Sequence, residues 1–184
     1  ILQFKKPELV VLDTMNFWIQ NKKEDLLEVL KLTDVLIIND QELRLLTGIK
    51  NIIEALPKVL KMGPRRVIVK KGEHGAIMFN GKTYFICPAF PLPEVLDPTG
   101  AGDSFAGSIC GFLSMCPTLN EMAFKQAIVY GTLVSSHTVK GFGLDSLKAL
   151  NRKELSKQLT LFQDYTGFPE FVPLPEQPVL KANS

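Results

Sequence analysis

The alternation of short apolar runs with helical patterns is the feature of this sequence that most constrains its fold. Three runs rich in Val, Ile and Leu are typical of buried strands: ELVVLDT (Glu8–Thr14), DVLIIND and RRVIVKKG. Helical patterns separate and follow them: EDLLEVLKL (Glu24–Leu32), QELRLLTG, which Gly48 should end, and NIIEALPKVLKMG, in which Pro57 should act as an internal breaker. Because strands linked through helices pair in parallel by right-handed crossovers, we expect an α/β fold, with a mostly parallel sheet and helices on both faces.

The alternation of strand and helix patterns ends at Gly75, where two strand-like runs follow each other. GAIMF and KTYFIC flank the dipeptide Asn80-Gly81, which is the strongest short-range hairpin signal. We therefore expect an antiparallel β-hairpin at the edge of the sheet.

Composition excludes several classes of protein. The net charge of the 184-residue chain is only +2, so no strong field attracts nucleic acid or an anionic membrane, and we expect neither as a partner. No apolar run approaches the ~20 residues of a membrane helix, and the first residues do not resemble a signal peptide. Three cysteines without a CxxC pair argue against a disulfide framework and a zinc site. The sequence therefore predicts a cytosolic protein.

The segment DPTGAGDSF (Asp97–Phe105) places small residues between two acids, directly before an apolar helical pattern. Gly100, Ala101 and Gly102 allow consecutive backbone N–H groups to turn inward at a helix start, where the helix dipole also attracts an anion. A turn that needs glycine only to begin a helix is the alternative. Asp103 favours the anion site, because an acid beside a bound phosphate can take a proton from an attacking hydroxyl.

Two other nucleotide motifs fit this segment less well. A P-loop needs a lysine after its glycines, and none follows here. A dinucleotide-binding fingerprint needs glycine at position 105, which is Phe, and it should follow the first strand of its unit.

The helix after this segment should begin near Gly102 or Asp103. Its small residues should form a narrow face for close packing: Ala106, Gly107, Cys110 and Gly111. Two later helices should open with capping boxes, one at Thr118 with Glu121 and one at Asn151 with Glu154.

DPTGAGDSFAGSICGFL resembles the C-terminal signature of the ribokinase-like carbohydrate and nucleoside kinases, the PfkB family. Three other segments agree with that resemblance: NDQE (Asn39–Glu42) with the family's NxxE motif, VIVKKGEHGAIMF with its nucleotide-binding turn and hairpin, and VKGFGLDSL with its late segment near the adenine pocket. The resemblance covers about Leu9 to Leu159. We therefore assign residues 1–166 to the ATP-binding part of a ribokinase-like domain and residues 167–184 to a Pro-rich tail.

The resemblance implies transfer of the γ-phosphoryl group of ATP to a hydroxymethyl group of a sugar or nucleoside. Asp103 would be the general base, and the backbone of Gly100, Ala101 and Gly102 would form the anion hole. Asn39 and Glu42 would act on the phosphates and, through water, on Mg²⁺. Taken alone, these two residues are also typical of an N-cap with an acid in the first helical turn.

The resemblance also implies further binding residues. Lys70 and Gly72 are candidate nucleotide contacts, although the family often has Thr where this chain has Lys70. Val139 and Gly143 would lie near the adenine. Asp97 and Thr99 are candidates for a monovalent-cation site, with K⁺ as the ion. Dimerisation through a lid is common in the family, so a homodimer is a further candidate state.

The family's chains are longer than this one, and none of its N-terminal acceptor-binding segments has a counterpart in these residues. Either the sequence is part of a complete enzyme or the chain is a true fragment; we expect the first, because half a parallel sheet would expose an unpaired edge and an uncovered face. A non-catalytic nucleotide-binding or interaction module derived from the same fold is the alternative: the intact GAGD motif favours the enzyme, whereas loss of the N-terminal half would favour the module.

Overall fold

The computed structural model describes residues 3–167 and confirms the predicted α/β class. The chain divides into two compact units, with the boundary between Ile86 and Cys87. Of the predicted Pro-rich tail, residues 168–184 lie outside the described residues.

Five strands form one sheet in the order β1-β2-β3-β4-β5. They are β1 (Val11–Asp13), β2 (Val35–Asn39), β3 (Arg66–Lys70), β4 (Ala76–Phe79) and β5 (Tyr84–Cys87). The first three strands are parallel, whereas β4 runs antiparallel to β3. Because parallel strands end at the same edge of a sheet, the polar residues that end β1, β2 and β3 (Asp13, Asn39 and Lys70) share one edge.

Four helices accompany the sheet in the first unit: α1 (Asn16–Asn21), α2 (Lys23–Leu30), α3 (Asp40–Thr47) and α4 (Ile52–Leu60). Their apolar residues pack with Leu36, Ile38 and Val69 in one hydrophobic core, and the four apolar residues of β2 are completely buried. Gly48 ends α3 in the left-handed conformation, with φ 72°, as the sequence predicts.

The prediction that Pro57 breaks a helix is wrong. Pro57 lies inside α4, which continues to Leu60. Proline removes one backbone hydrogen bond at this point. The neighbouring Ala55, Leu56 and Val59 are fully buried in the core, and this packing retains the helix despite the local cost.

The hairpin between β4 and β5 lies at the predicted edge of the sheet. The Asn80 side chain closes its turn by accepting hydrogen bonds from the N–H groups of Lys82 (2.9 Å) and Thr83 (2.8 Å). Gly81 adopts a φ of 89°, which glycine tolerates and other residues rarely adopt.

The second unit contains α5 (Ala101–Met115), α6 (Glu121–Thr138), α7 (Asp145–Ala149) and α8 (Arg152–Thr166). Helices α5 and α6 pack against each other, with the rings of Phe112 and Tyr130 stacked at 5.0 Å between centroids. The two helices approach each other closely at Gly131, because a Cβ atom built on it would lie 3.1 Å from Ile109 and Phe105. None of the helices within residues 3–167 is long and apolar enough to cross a membrane.

Three predictions about these helices need correction. Helix α5 begins at Ala101, one residue earlier than expected, because Gly100 supplies the left-handed N-cap. Asn120, not Thr118, caps α6, since its side chain accepts from the N–H of Ala123 at 2.9 Å. The narrow face of α5 is not closely packed: Cβ atoms built on Gly107 and Gly111 would have no neighbour within 4 Å among the described residues. Asn151 caps α8 by accepting from the Glu154 N–H at 3.1 Å, which confirms that half of the predicted capping box.

Candidate functional site

The polar edge of the first unit contains an ion pair that joins β1 to β3. The Lys70 ammonium lies 3.0 Å from Oδ1 and 2.8 Å from Oδ2 of Asp13. The two side chains are only 18% and 25% exposed, so water screens this pair less than a surface pair. The charge of the predicted nucleotide contact Lys70 is therefore already partnered by a carboxylate.

Asn39 and Glu42 form a complete capping box at the start of α3. The Asn39 side chain accepts a hydrogen bond from the Glu42 N–H at 2.7 Å, and Oε2 of Glu42 accepts one from the Asn39 N–H at 3.0 Å. The sequence allowed this arrangement as the simpler interpretation of NDQE, and the structure contains it. Any action on phosphate or magnesium is additional to this capping.

Glu42 is also a buried carboxylate of this unit. It is only 6% exposed, and this burial raises the pKa of its carboxyl above the ordinary value. The Asn39 N–H and the Lys70 ammonium lower the pKa in part, whereas the Asp13 carboxylate raises it. Glu42 therefore lies within the electrostatic reach of the Asp13–Lys70 pair.

The residues around Glu42 fit a magnesium ion only if the ion keeps most of its water. Within residues 3–167, no three His, Cys, Asp or Glu side chains are grouped so that they could hold a metal directly. Mg²⁺ commonly retains several waters and binds through one or two carboxylates together with substrate phosphates. The capping box uses Oε2 of Glu42, so Oε1 suits a water-mediated contact of this type.

Gly72 lies in an exposed 3₁₀ turn, Gly72–His74, directly after β3. It has a φ of 55°, and a Cβ atom built on it would have no described neighbour within 4 Å. The backbone at this turn is therefore accessible.

In the second unit, the Asp97–Asp103 loop is folded by its own short-range hydrogen bonds. Oδ1 of Asp97 accepts from the Thr99 N–H at 2.9 Å, which lowers the pKa of the Asp97 carboxyl. The Ala101 N–H donates to the Pro98 carbonyl at 3.2 Å, and Gly100 has a φ of 80°. These contacts form a tight turn immediately before α5.

The available donors differ slightly from the predicted set. The Ala101 N–H is occupied within the turn, whereas the N–H groups of Gly102 and Asp103 make no hydrogen bond to the described residues. They belong to the first turn of a 15-residue helix, where unpaired N–H groups and the dipole attract anions. The Asp103 side chain is exposed beside them.

The end of α6 contacts the same loop. The Val139 carbonyl accepts from the N–H groups of Leu96 (2.8 Å) and Asp97 (3.4 Å), and the Thr138 hydroxyl donates to the Ser104 hydroxyl at 2.7 Å. Val139 thus holds the loop through its backbone. Gly143 lies four residues further along, exposed and with a φ of 59°.

Asp13 and Thr138 are two residues of this site that the sequence motifs do not include. Asp13 could have been found, because an acid that directly follows a buried strand marks the carboxyl edge of a parallel sheet. The pattern around Thr138 contains no comparable signal, since its contact with Ser104 spans 34 residues.

The mostly parallel sheet and its accompanying helices define an α/β fold. The model of the pfkB family carbohydrate kinases matches residues 3–149, and the chain belongs to that family.

The chain is 33% identical over 96 residues to a cytidine kinase of Thermococcus kodakarensis; the match spans 50% of this chain and 33% of that protein. Among solved structures, it resembles aminoimidazole riboside kinase from Salmonella enterica with a TM-score of 0.71 and 23% identity, over 83% of this chain and 52% of the other. Arabidopsis thaliana ribokinase complexed with ribose and ATP gives a TM-score of 0.62 and 27% identity, over 72% and 43%. The chain thus spans a third of that curated relative and about half of these solved chains.

Proposed function

We propose that this protein is an ATP-dependent kinase that transfers the γ-phosphoryl group to a hydroxymethyl group of a sugar or nucleoside. Family membership is the observation that carries the proposal. The relatives named above are kinases, and one of the similar structures is a complex with ribose and ATP. These names favour the enzyme over the non-catalytic module.

In the second unit, the N–H groups at the start of α5 are proposed to hold the transferring phosphoryl group. Asp103 is proposed to take the proton of the acceptor hydroxyl. The hydroxyl oxygen of the acceptor then forms a bond to the γ-phosphorus, while the bond between that phosphorus and the ADP oxygen breaks. Its exposure and the unpaired donors beside it support this role. Donors that are already oriented need little rearrangement as charge spreads over the phosphoryl oxygens.

In the first unit, Glu42 is proposed to act on magnesium through water, with Asn39 as its capping partner. A magnesium ion neutralises phosphate charge when it is bound. The accessible backbone at Gly72 supports a nucleotide contact, whereas Lys70 would have to share its charge with Asp13.

Several finer assignments are parts of the proposal. Val139 and Gly143 are proposed as adenine-binding positions. Asp97 and Thr99 are proposed as a K⁺ site, in which the Asp97 carboxylate also accepts a hydrogen bond from the Thr99 N–H. The division into residues 1–166 and a Pro-rich tail, the cytosolic location and the homodimer stay predictions.

A panel of acceptors tests the proposal. The full-length protein would be incubated with ATP and Mg²⁺ and with ribose, fructose phosphates, hexoses or nucleosides, and ADP formation would be measured against a reaction without acceptor. We expect acceptor-dependent ADP formation with at least one of these compounds. ATP binding without phosphoryl transfer to any of them would contradict the enzyme and favour the binding module.

A further inference from the structure

The last turn of α6 holds the Asp97–Asp103 loop on both sides of Gly100. Before the loop, the Val139 carbonyl accepts the Leu96 N–H at 2.8 Å. After it, the Thr138 hydroxyl donates to the Ser104 hydroxyl at 2.7 Å. The loop is therefore attached at both ends to two consecutive residues.

Thr138 is enclosed by this arrangement, since only 2% of it is exposed. The Ser104 hydroxyl donates its own proton to the Ala101 carbonyl at 3.1 Å, so it is the acceptor in the bond with Thr138. The Val134 carbonyl lies at 3.4 Å from the same Thr138 hydroxyl, and the shorter contact with Ser104 takes its proton. The methyl group of Thr138 lies under Gly100, where a Cβ atom would meet it at 3.7 Å. Both branches of the threonine side chain thus contact the turn that begins α5.

Asp103 depends on this turn for its position. Its carboxylate makes no hydrogen bond or ion pair with the residues the structure describes, and it lies within the Ala101–Ser104 segment that Thr138 holds. A displacement of a catalytic group by about 1 Å can lower a rate by about 100-fold. The turn therefore has to be fixed by contacts other than those of Asp103.

We propose that Thr138 is a positioning residue for phosphoryl transfer, which fixes the first turn of α5 and thereby the Asp103 carboxylate and the adjacent N–H donors. This inference rests on the proposed kinase function. Thr138 acts through the turn and touches none of the reacting groups.

Two substitutions separate the branches of the side chain. Thr138→Val keeps the shape and removes the hydroxyl, whereas Thr138→Ser keeps the hydroxyl. Thr132→Val is the matched control, because Thr132 is a buried threonine of the same helix (6% exposed) whose hydroxyl contacts Cys87 and not the loop. The wild type and these three variants would be compared by kcat, KM for ATP, melting temperature and hydrogen exchange.

We expect Thr138→Val to lower kcat by about 10- to 100-fold with little change in KM for ATP, because the lost interaction orients groups that act in the transition state. Thr138→Ser should restore kcat to within a few-fold of the wild type, and Thr132→Val should retain it. The rate of amide hydrogen exchange at the start of α5 should rise in Thr138→Val and in neither of the other two variants. Equal kcat in the two valine variants, or an equal loss in Thr138→Ser, would overturn the proposal.

A second variant and the exchange measurement keep the test decisive. If Thr138→Val did not fold, Ser104→Ala would remove the same hydrogen bond from the other side, and unchanged kcat there would overturn the proposal. An inactive wild type would overturn the proposed function, and the exchange comparison would then decide separately whether Thr138 fixes the turn.

Discussion

The close approach of α5 and α6 at Gly131 can be tested with one added methyl group. In Gly131→Ala, the new Cβ would lie 3.1 Å from Ile109 Cγ1, Phe105 Cδ2 and the Phe105 carbonyl oxygen. Carbon atoms pack best at about 3.5–4.0 Å, so the helices must move apart by a few tenths of an ångström. Overpacking of this kind costs about 1–3 kcal/mol, and the better helix propensity of alanine returns about 1 kcal/mol. We expect a net loss of about 0–2 kcal/mol.

Gly107→Ala is the matched control on α5. No described atom lies within 4 Å of the new methyl group, so only the propensity gain of about 0.5–1 kcal/mol applies. Urea denaturation of both variants should therefore give free energies of unfolding that differ by about 0.5–3 kcal/mol, with Gly131→Ala the less stable. Equal stabilisation by both substitutions would refute the close contact between the helices.

Three further predictions concern the first unit. Glu42→Gln keeps an acceptor for the Asn39 N–H but removes the charge. We therefore expect the Mg²⁺ requirement of the rate to change far more than the affinity for ATP. An unchanged Mg²⁺ titration would leave Glu42 with its capping role alone. Because burial raises the pKa of Glu42, the folded protein binds a proton at this carboxyl more tightly than the unfolded chain does. The stability it contributes is present below pH 4.5 and is lost as the pH rises through the folded pKa, so a melting-temperature profile over this range should be flatter in Glu42→Gln. A double-mutant cycle with Asp13→Asn and Lys70→Met should give a coupling of about 1–3 kcal/mol, between the values for surface and buried pairs; a coupling near zero would contradict the observed ion pair.

The sequence predicts those features that depend on neighbouring residues. The apolar runs of β2 and β3, the Asn80-Gly81 turn and the left-handed Gly48 each follow from interactions within a few residues. Predictions of this kind were accurate to one or a few residues.

Features that depend on packing were not predictable in the same way. Pro57 remains helical because the core retains α4, and the small residues of α5 look suited to close packing although they face open space among the described residues. The Asp13–Lys70 ion pair joins residues 57 positions apart. The occupied N–H of Ala101 depends on how the Pro98 carbonyl is directed, which the sequence GAG alone does not determine.

Turnover of Asp103→Asn in the full-length protein, with an acceptor identified by the panel, tests the proposed mechanism most directly. Asparagine keeps the size and the polar character of this first-turn residue but cannot take the hydroxyl proton. We expect kcat to fall by about 10²–10⁴-fold with little change in ATP binding, whereas Asp97→Asn should lower the rate less and act more on thermal stability or K⁺ dependence. Turnover close to that of the wild type in Asp103→Asn would contradict the role of Asp103 as the general base.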